Sequence, residues 1–387
     1  MKTTIVTFLL FFTTLSFAGE GMWLPHLLKA LNEAEMKSMG MKLKAEDIYS
    51  VNKGSLKDAV AHFGGFCTSE VISNQGLLLT NHHCGYENIQ SHSSIEKNYL
   101  RDGFWAKSFN EELPNPGLFA RFIERIEDVT TEIMDGVKPE MTAALKQSVI
   151  DINMKKYRDR HEMDKFHELE IKPFFAGNQY LAFFMVRYND VRLVGTPPES
   201  IGKFGADTDN WVWPRHTGDF SLFRIYAGPN NEPADFSESN KPFTPKHFLP
   251  VSMDGVKEGD FTMVFGFPGR TDEYLPSIAV KQIMENSDPA KIAIRDAALK
   301  IMDKYMRKDE GTRLKYAAKY ATIANYWKKW IGEAKGLKST HAIEKKQNFE
   351  ADFEKRAAKT GKYTGMISQF DKLYNANLEA SLVRDYY

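Results

Sequence analysis

The chain has 387 residues, with 51 basic and 51 acidic side chains and a hydrophobic content of 42%. At about 150 residues per domain, that length corresponds to two or three domains, and the composition excludes a largely disordered chain. Zero net charge argues against a general nucleic-acid binder, which needs an excess of Lys and Arg to neutralise phosphates. The two cysteines are too few for a four-cysteine zinc site or a dense disulfide scaffold.

The N-terminus reads as a targeting segment. Lys2 supplies a positive start and Ile5 to Phe12 an apolar stretch too short to span a bilayer, while Ser16 and Ala18 are the small residues of a cleavage site. Residues 1–18 are therefore predicted to be a signal peptide cleaved after Ala18. The mature chain is then periplasmic or secreted, and no later apolar stretch holds it in a membrane. Export permits disulfides, and Cys67 and Cys84 are the available partners. Closing a loop of this size stabilises a fold by roughly 3 kcal/mol in the chain-entropy model.

From Gly19 the chain has two regimes. Helical patterns near 26–38 and 138–168 interrupt short β-like runs separated by Gly, Pro and Asn turns. The predicted strands are Cys67–Ser73, Leu77–Thr80, Tyr180–Tyr188, Val191–Gly195, Phe220–Tyr226 and Phe261–Phe267, a pattern that suggests an antiparallel barrel or sandwich. From Asp288 onward there are 21 Lys and Arg against 13 Asp and Glu. Asp288-Pro289 reads as a helix cap followed by Pro at the first helical position. Apolar residues then recur at helical spacing over 294–305, 314–331 and 339–358. The excess positive charge is read as a solvated face.

Phe66 to Tyr86 is the segment richest in chemistry. It reads as a hairpin with Cys67 opening the first strand and His82-His83-Cys84 following the second. This places His83 at a strand end, where a general base would have the rigid placement it needs. Two other uses of these residues are open: surface or core histidines, and a metal site from His82, His83, Cys84 and Cys67.

Thr80-Asn81-His82-His83-Cys84 resembles the Thr/Ser-x-x-His-Cys strand of two-barrel serine peptidases, in which the Cys is bridged to the preceding strand. The longer run GGFCTSEVISNQGLLLTNHHCGYENIQSHS is similar to the bacterial dipeptidyl peptidase 7 and 11 family of exported serine peptidases. So are GEGMWLP at 19–25, NYLRDGFWA at 98–106, DTDNWVWPRHTGDFSLFRIYA at 207–227 and FGFPGRTDEY at 265–274. The resemblance covers the whole mature chain.

It implies a chymotrypsin-like double β-barrel with an inserted α-helical domain, a mixed β and α fold. Residues 19–280 are then mainly the first barrel and 281–387 the start of the cleft-capping helical domain. It implies release of dipeptides from the N-termini of oligopeptides, with His83 as base and Asp219 as its carboxylate partner. Asn210 and Trp211 would hold the substrate ammonium, with Asn325 reaching over from the helical domain. Trp213 is expected in the core, and Arg215 and His216 as structural hydrogen-bonders. No cofactor and no metal are indicated, and the family resemblance suggests a homodimer.

The nucleophile is the missing part. Such peptidases place the Ser in a Gly-Asn/Asp-Ser-Gly loop that also forms the oxyanion hole. No Ser of this chain is so flanked; Ser200 before Ile201-Gly202 and Ser277 after Pro276 do not fit. In the family that Ser lies in the second barrel, after the helical insertion. The chain therefore resembles the N-terminal half of a member. It is expected to be inactive alone and to expose an apolar face where the second barrel would pack. The alternative is a non-catalytic exported peptide-binding protein, or pseudo-peptidase, that keeps the amine pocket.

Overall fold

The short apolar runs satisfy their backbone groups in one antiparallel sheet. The computed structural model describes residues 22–386 apart from 270, 271 and 273, so the predicted signal peptide and its cleavage site lie outside the described residues. The strands are β1 (Val60–Phe63), β2 (Cys67–Val71), β3 (Leu77–Thr80), β4 (Phe104–Trp105), β5 (Leu113–Pro114) and β6 (Ala120–Asp128). They continue with β7 (His167–Phe174), β8 (Gln179–Tyr188), β9 (Asp190–Thr196), β10 (Ser221–Ala227) and β11 (Lys241–Pro242). Their order is β4-β9-β10-β3-β2-β1-β6-β8-β7, with β5 against β9 and β11 against β10. β10 pairs with β3 at Ser221–Thr80 through Arg224–Leu77, which joins residues 140 or more apart in sequence and sets up the site below.

Three predicted elements differ. The helix expected over 138–168 runs only from Ala143 to Asp159, and β7 follows it. The His-Glu-Leu-Glu-Ile-Lys alternation of β7 has the two-residue period of a strand, with Ile171 buried against the sheet. Phe261–Phe267 forms no strand. It lies as irregular chain, its Phe267 N–H donating to Thr68 Oγ1 at 2.8 Å. An apolar run gives the same sequence signal whether it is paired in a sheet or laid against side chains.

Asp288 is not a helix cap, because its own backbone is already helical. Helical backbone begins at Ser277, passes through a π-turn at Ile283–Ser287 and continues as the helix Asp288–Met306. Pro289 explains the interruption, because it has no N–H for the carbonyl four residues back and its ring crowds that carbonyl. Helical backbone is thus continuous from Ser277.

The helices used below are α1 (His82–Ser91), α2 (Ala143–Asp159), α3 (Asp288–Met306), α4 (Glu310–Ser339), α5 (Ala342–Thr360) and α6 (Met366–Tyr386). α4 is started by Asp309, whose carboxylate accepts from the Thr312 N–H at 2.6 Å. The main core gathers Phe63 and Leu78 with Leu193 and Phe223 of the sheet, and Leu314 and Ala317 of α4 belong to the same cluster. The helical region therefore packs on the sheet through buried apolar side chains. A second core lies between α2 and β7–β8, around Ile150, Tyr157 and Phe184. Among the described residues, no helix is long and apolar enough to cross a membrane.

Candidate active site

β3 ends at Thr80, whose hydroxyl donates to the Thr68 carbonyl at 2.7 Å. Asn81 adopts the extended backbone of a helix cap, and α1 begins at His82. His83 therefore stands in the first turn of a helix, which corrects its expected place at a strand end. The chain turns helical here because the Leu77–Thr80 ladder has finished and a carboxylate is available for an unsatisfied first-turn amide.

That carboxylate is Asp219, just before β10. Its Oδ1 accepts the His83 backbone N–H at 3.0 Å, and its Oδ2 lies 2.7 Å from His83 Nδ1. Asn81 Nδ2 donates to the Asp219 carbonyl at 3.1 Å and to Oδ2 at 3.3 Å, and Ser221 Oγ donates to the Asn81 carbonyl at 2.9 Å. The imidazole and its carboxylate are thus fixed from both main chain and side chain. Burial alone would raise the Asp219 pKa, but the hydrogen bond and charge of His83, with the His83 amide, outweigh it and hold the carboxyl below its ordinary value. The His83 side chain is 66% exposed against 14% for Asp219. The carboxylate is thus sheltered while the imidazole faces solvent.

Burial separates the two histidines. His82 is fully covered and packs edge-on to Tyr86 with ring centroids 5.6 Å apart, and burial lowers its pKa. Gly202 allows this, since a Cβ there would lie 2.4 Å from His82 Cδ2. Gly85 instead lets α1 lie close against β10, where a Cβ would meet Phe223 and Ser221 Oγ at 2.9 Å. Cys84 forms a disulfide with Cys67, tying the first turn of α1 to the start of β2. Donor atoms of Cys67, His83 and Cys84 lie within 4.8 Å of one another, but the two sulfurs are bonded to each other and offer no thiolate to a metal.

The other predicted residues form a second group. Asn210 Nδ2 donates to Asn325 Oδ1 at 2.9 Å, and Trp211 Nε1 donates to the same oxygen at 3.0 Å. Arg215 donates to Asn210 Oδ1 at 3.3 Å and to Thr217 Oγ1 at 2.9 Å. Asn325 comes from α4, so residues 114 and 115 positions apart in sequence meet across the sheet–helix boundary. Trp211, at φ 58°, is 57% exposed and offers an aromatic face. Trp213 does not join the core as expected. It is 92% exposed, on irregular chain that no element covers among the described residues.

Beside Asp219 opens a cavity of about 790 Å³ whose lining includes Trp23, Met36, Thr68, Leu79, Phe220 and Phe267. Asn81 is the member of the site that sequence reasoning passed over. Its side chain does not cap α1 but donates to Asp219, a contact between residues 138 positions apart that local pattern does not signal.

A histidine paired to a sheltered carboxylate at the rim of a cleft, next to a disulfide, has the geometry of a general base, and the family profile decides its lineage. The peptidase S46 profile matches residues 18–387. The chain belongs to the peptidase S46 family. It is 54% identical over its whole length to an Asp/Glu-specific dipeptidyl-peptidase of Flavobacterium psychrophilum, covering 55% of that protein. It is 46% identical to a dipeptidyl-peptidase 7 of Phocaeicola vulgatus over 92% of the chain and 50% of the relative. Among solved structures, Porphyromonas endodontalis DPP11 in complex with dipeptide Arg-Glu matches with a TM-score of 0.86 at 40% identity, over 95% of this chain and 53% of that one. The same protein in complex with Arg-Asp matches at 0.82. The S46 chain spans about half the length of the curated relatives it matches.

Proposed function

We propose that this chain is the base-bearing half of an exported serine-type dipeptidyl peptidase. The observation that carries the reading is the His83–Asp219 pair, 2.7 Å apart at Nδ1 and Oδ2, with the imidazole open to solvent and its carboxylate partner lining the cavity. In the reaction, His83 Nε2 takes the proton of a serine hydroxyl as its oxygen attacks the peptide carbonyl, then returns it to the leaving amine. Asp219 fixes the tautomer and stabilises the imidazolium. The serine and oxyanion loop belong to the rest of the protein, in a Gly-Asn/Asp-Ser-Gly segment that would complete a two-barrel fold. Residues 19–280 supply the first barrel and 281–387 the start of the cleft cap. The resemblance adds a cleavable signal peptide and a homodimer.

Asn210, Trp211 and Asn325 hold the free ammonium of the substrate through acceptor oxygens and an aromatic face. Holding that end, with the helical region closing the cleft, limits cleavage to the second peptide bond. The relatives at 54% and 56% identity are named Asp/Glu-specific, and the dipeptides bound by the P. endodontalis protein end in an acidic residue. This supports an acidic second residue in the substrate.

The test uses the full-length protein. His83→Ala should abolish release of dipeptides from a peptide with Glu at position two, with an unchanged circular dichroism spectrum. Retained turnover would refute the assignment. Binding of that peptide by the unaltered protein without any turnover would favour the peptide-binding alternative.

A further inference from the structure

The site described above has two parts on different elements, and their separation decides how much peptide fits between them. His83 rides on α1, whereas Asn325 rides on α4. Asn325 lies 12 residues beyond Arg313 in sequence, about 18 Å along the helix axis at the standard rise. A small tilt of α4 at its N-terminal end therefore displaces the amine pocket relative to the base.

One chain of hydrogen bonds ties these elements at that end. Tyr86 is three residues after His83 on α1, and its hydroxyl donates to Glu199 Oε1. Glu199 Oε2 accepts from Arg313 of α4 at 3.4 Å. Arg313 closes a two-pronged pair with Glu310, 2.8 Å at each prong, and Asn98 donates to Glu310 at 3.0 Å. Tyr86 and Asn98 are buried. Gln90, one turn along α1, holds the same stretch of α4 by its main chain. Its amide donates to the Lys315 carbonyl at 3.3 Å and its oxygen accepts from the Ala318 N–H at 2.6 Å. Glu199 also lies in the segment leading to Asn210 and Trp211, so one carboxylate touches all three stretches that build the site.

We propose that Tyr86, Glu199 and Arg313 are positioning residues, a clasp that sets the spacing between His83 and the Asn210–Trp211–Asn325 group and so the two-residue register of cleavage. None of the three is assigned contact with the reacting atoms; they act through the elements they join. The proposal rests on the dipeptidyl-peptidase reading for its kinetic consequence, but not for its structural one. Burial and the Glu199 carboxylate push the Tyr86 phenol far up, so it remains a donor across the working pH range.

The experiment takes Tyr86→Phe, Arg313→Met and their combination in the full-length protein, with two readouts. The first is amide hydrogen exchange over 319–330, the part of α4 that carries Asn325. Exchange there should rise in each variant while β3 and β10 keep their protection. The second is steady-state kinetics on a peptide with a free amine and Glu at position two, with products resolved by mass. The variants should raise KM by roughly ten-fold or more, with a smaller change in kcat and a new minor fraction of tripeptide, because misplacement of a held substrate is costly. The double variant should do little more than either single one, since both act through Glu199. Unchanged exchange, or unchanged KM and product length, overturns the clasp. A general loss of protection in β3 and β10 as well overturns it in favour of a purely structural role, and Tyr86→Phe, which removes one oxygen, is the variant least exposed to misfolding. If the unaltered protein releases no dipeptide, the function reading fails, while the exchange experiment still decides the clasp.

Discussion

Asp219 meets two donors of one residue, the amide and the imidazole of His83, and this double use makes the pair rigid. Replacing it by Asn keeps the shape but presents an amide that can hold the wrong imidazole tautomer. Asp219→Asn should therefore lower kcat by about 10³–10⁴ while leaving KM nearly unchanged, measured by steady-state dipeptide release. The sign of its stability effect follows from its depressed pKa. The pairing contributes fully above the ordinary carboxylate range and is lost as pH falls through the lowered value, so the unaltered protein should lose more stability in acid than the variant. This residue was legible in the sequence only through the family resemblance of the long motif that holds it; the Gly218-Asp219 dipeptide by itself reads as a turn. The choice of His83 over His82 likewise came from the Cys beside it. The physical ground, one ring buried against Gly202 and the other open, needs the fold. Trp213 was misread because a Trp between apolar neighbours has the composition of a core, whereas its exposure depends on a loop path that local pattern does not encode.

At the scale of elements, the strands with clear alternation or tight turns were readable, and the junctions were not. The π-turn ahead of Asp288 is the clearest case, because Asp-Pro is also a good helix start and only the continuous helix from Ser277 distinguishes the two. The consequence is a buried carboxyl at an interruption. Asp288 is covered, and its Oδ2 has no hydrogen-bond partner. Burial first, then the negative charges of Glu333 and Asp385 against the positive Lys329 and Lys291, push its pKa up to about 7. A raised acid keeps its proton in the folded state where the unfolded chain has released it. Its contribution to stability is thus present below the ordinary carboxyl value, near about 4, and is lost as pH rises through about 7. Asp288→Asn should flatten the fall of Tm over that window, with the difference from the unaltered protein growing toward neutral pH. Parallel Tm profiles would show that Asp288 does not titrate there.

For the whole molecule, the question is what stands opposite His83. The irregular segment after β11 exposes Val251, Met253, Val256 and Val264, and the cavity beside Asp219 is lined largely by apolar side chains. The matched relatives are about twice as long as this chain. If the base and its carboxylate are here and the nucleophile is in the remainder, a reagent that needs both halves should report the division. A fluorophosphonate reacts by forming a bond from the serine oxygen to phosphorus and expelling fluoride, with the hydroxyl proton taken by the base. In the full-length protein it should label one Ser outside residues 22–387, within a Gly-Asn/Asp-Ser-Gly segment, as read by peptide mass mapping. His83→Ala should remove that label, because an unassisted hydroxyl is a weak nucleophile. Arg313→Met should leave much of it, since the reagent has no ammonium for Asn210, Trp211 and Asn325 to hold. Labelling of a Ser within 22–387, or labelling indifferent to His83, would mean that the chemistry is divided along the chain in another way, and the base role of His83 would fall with it.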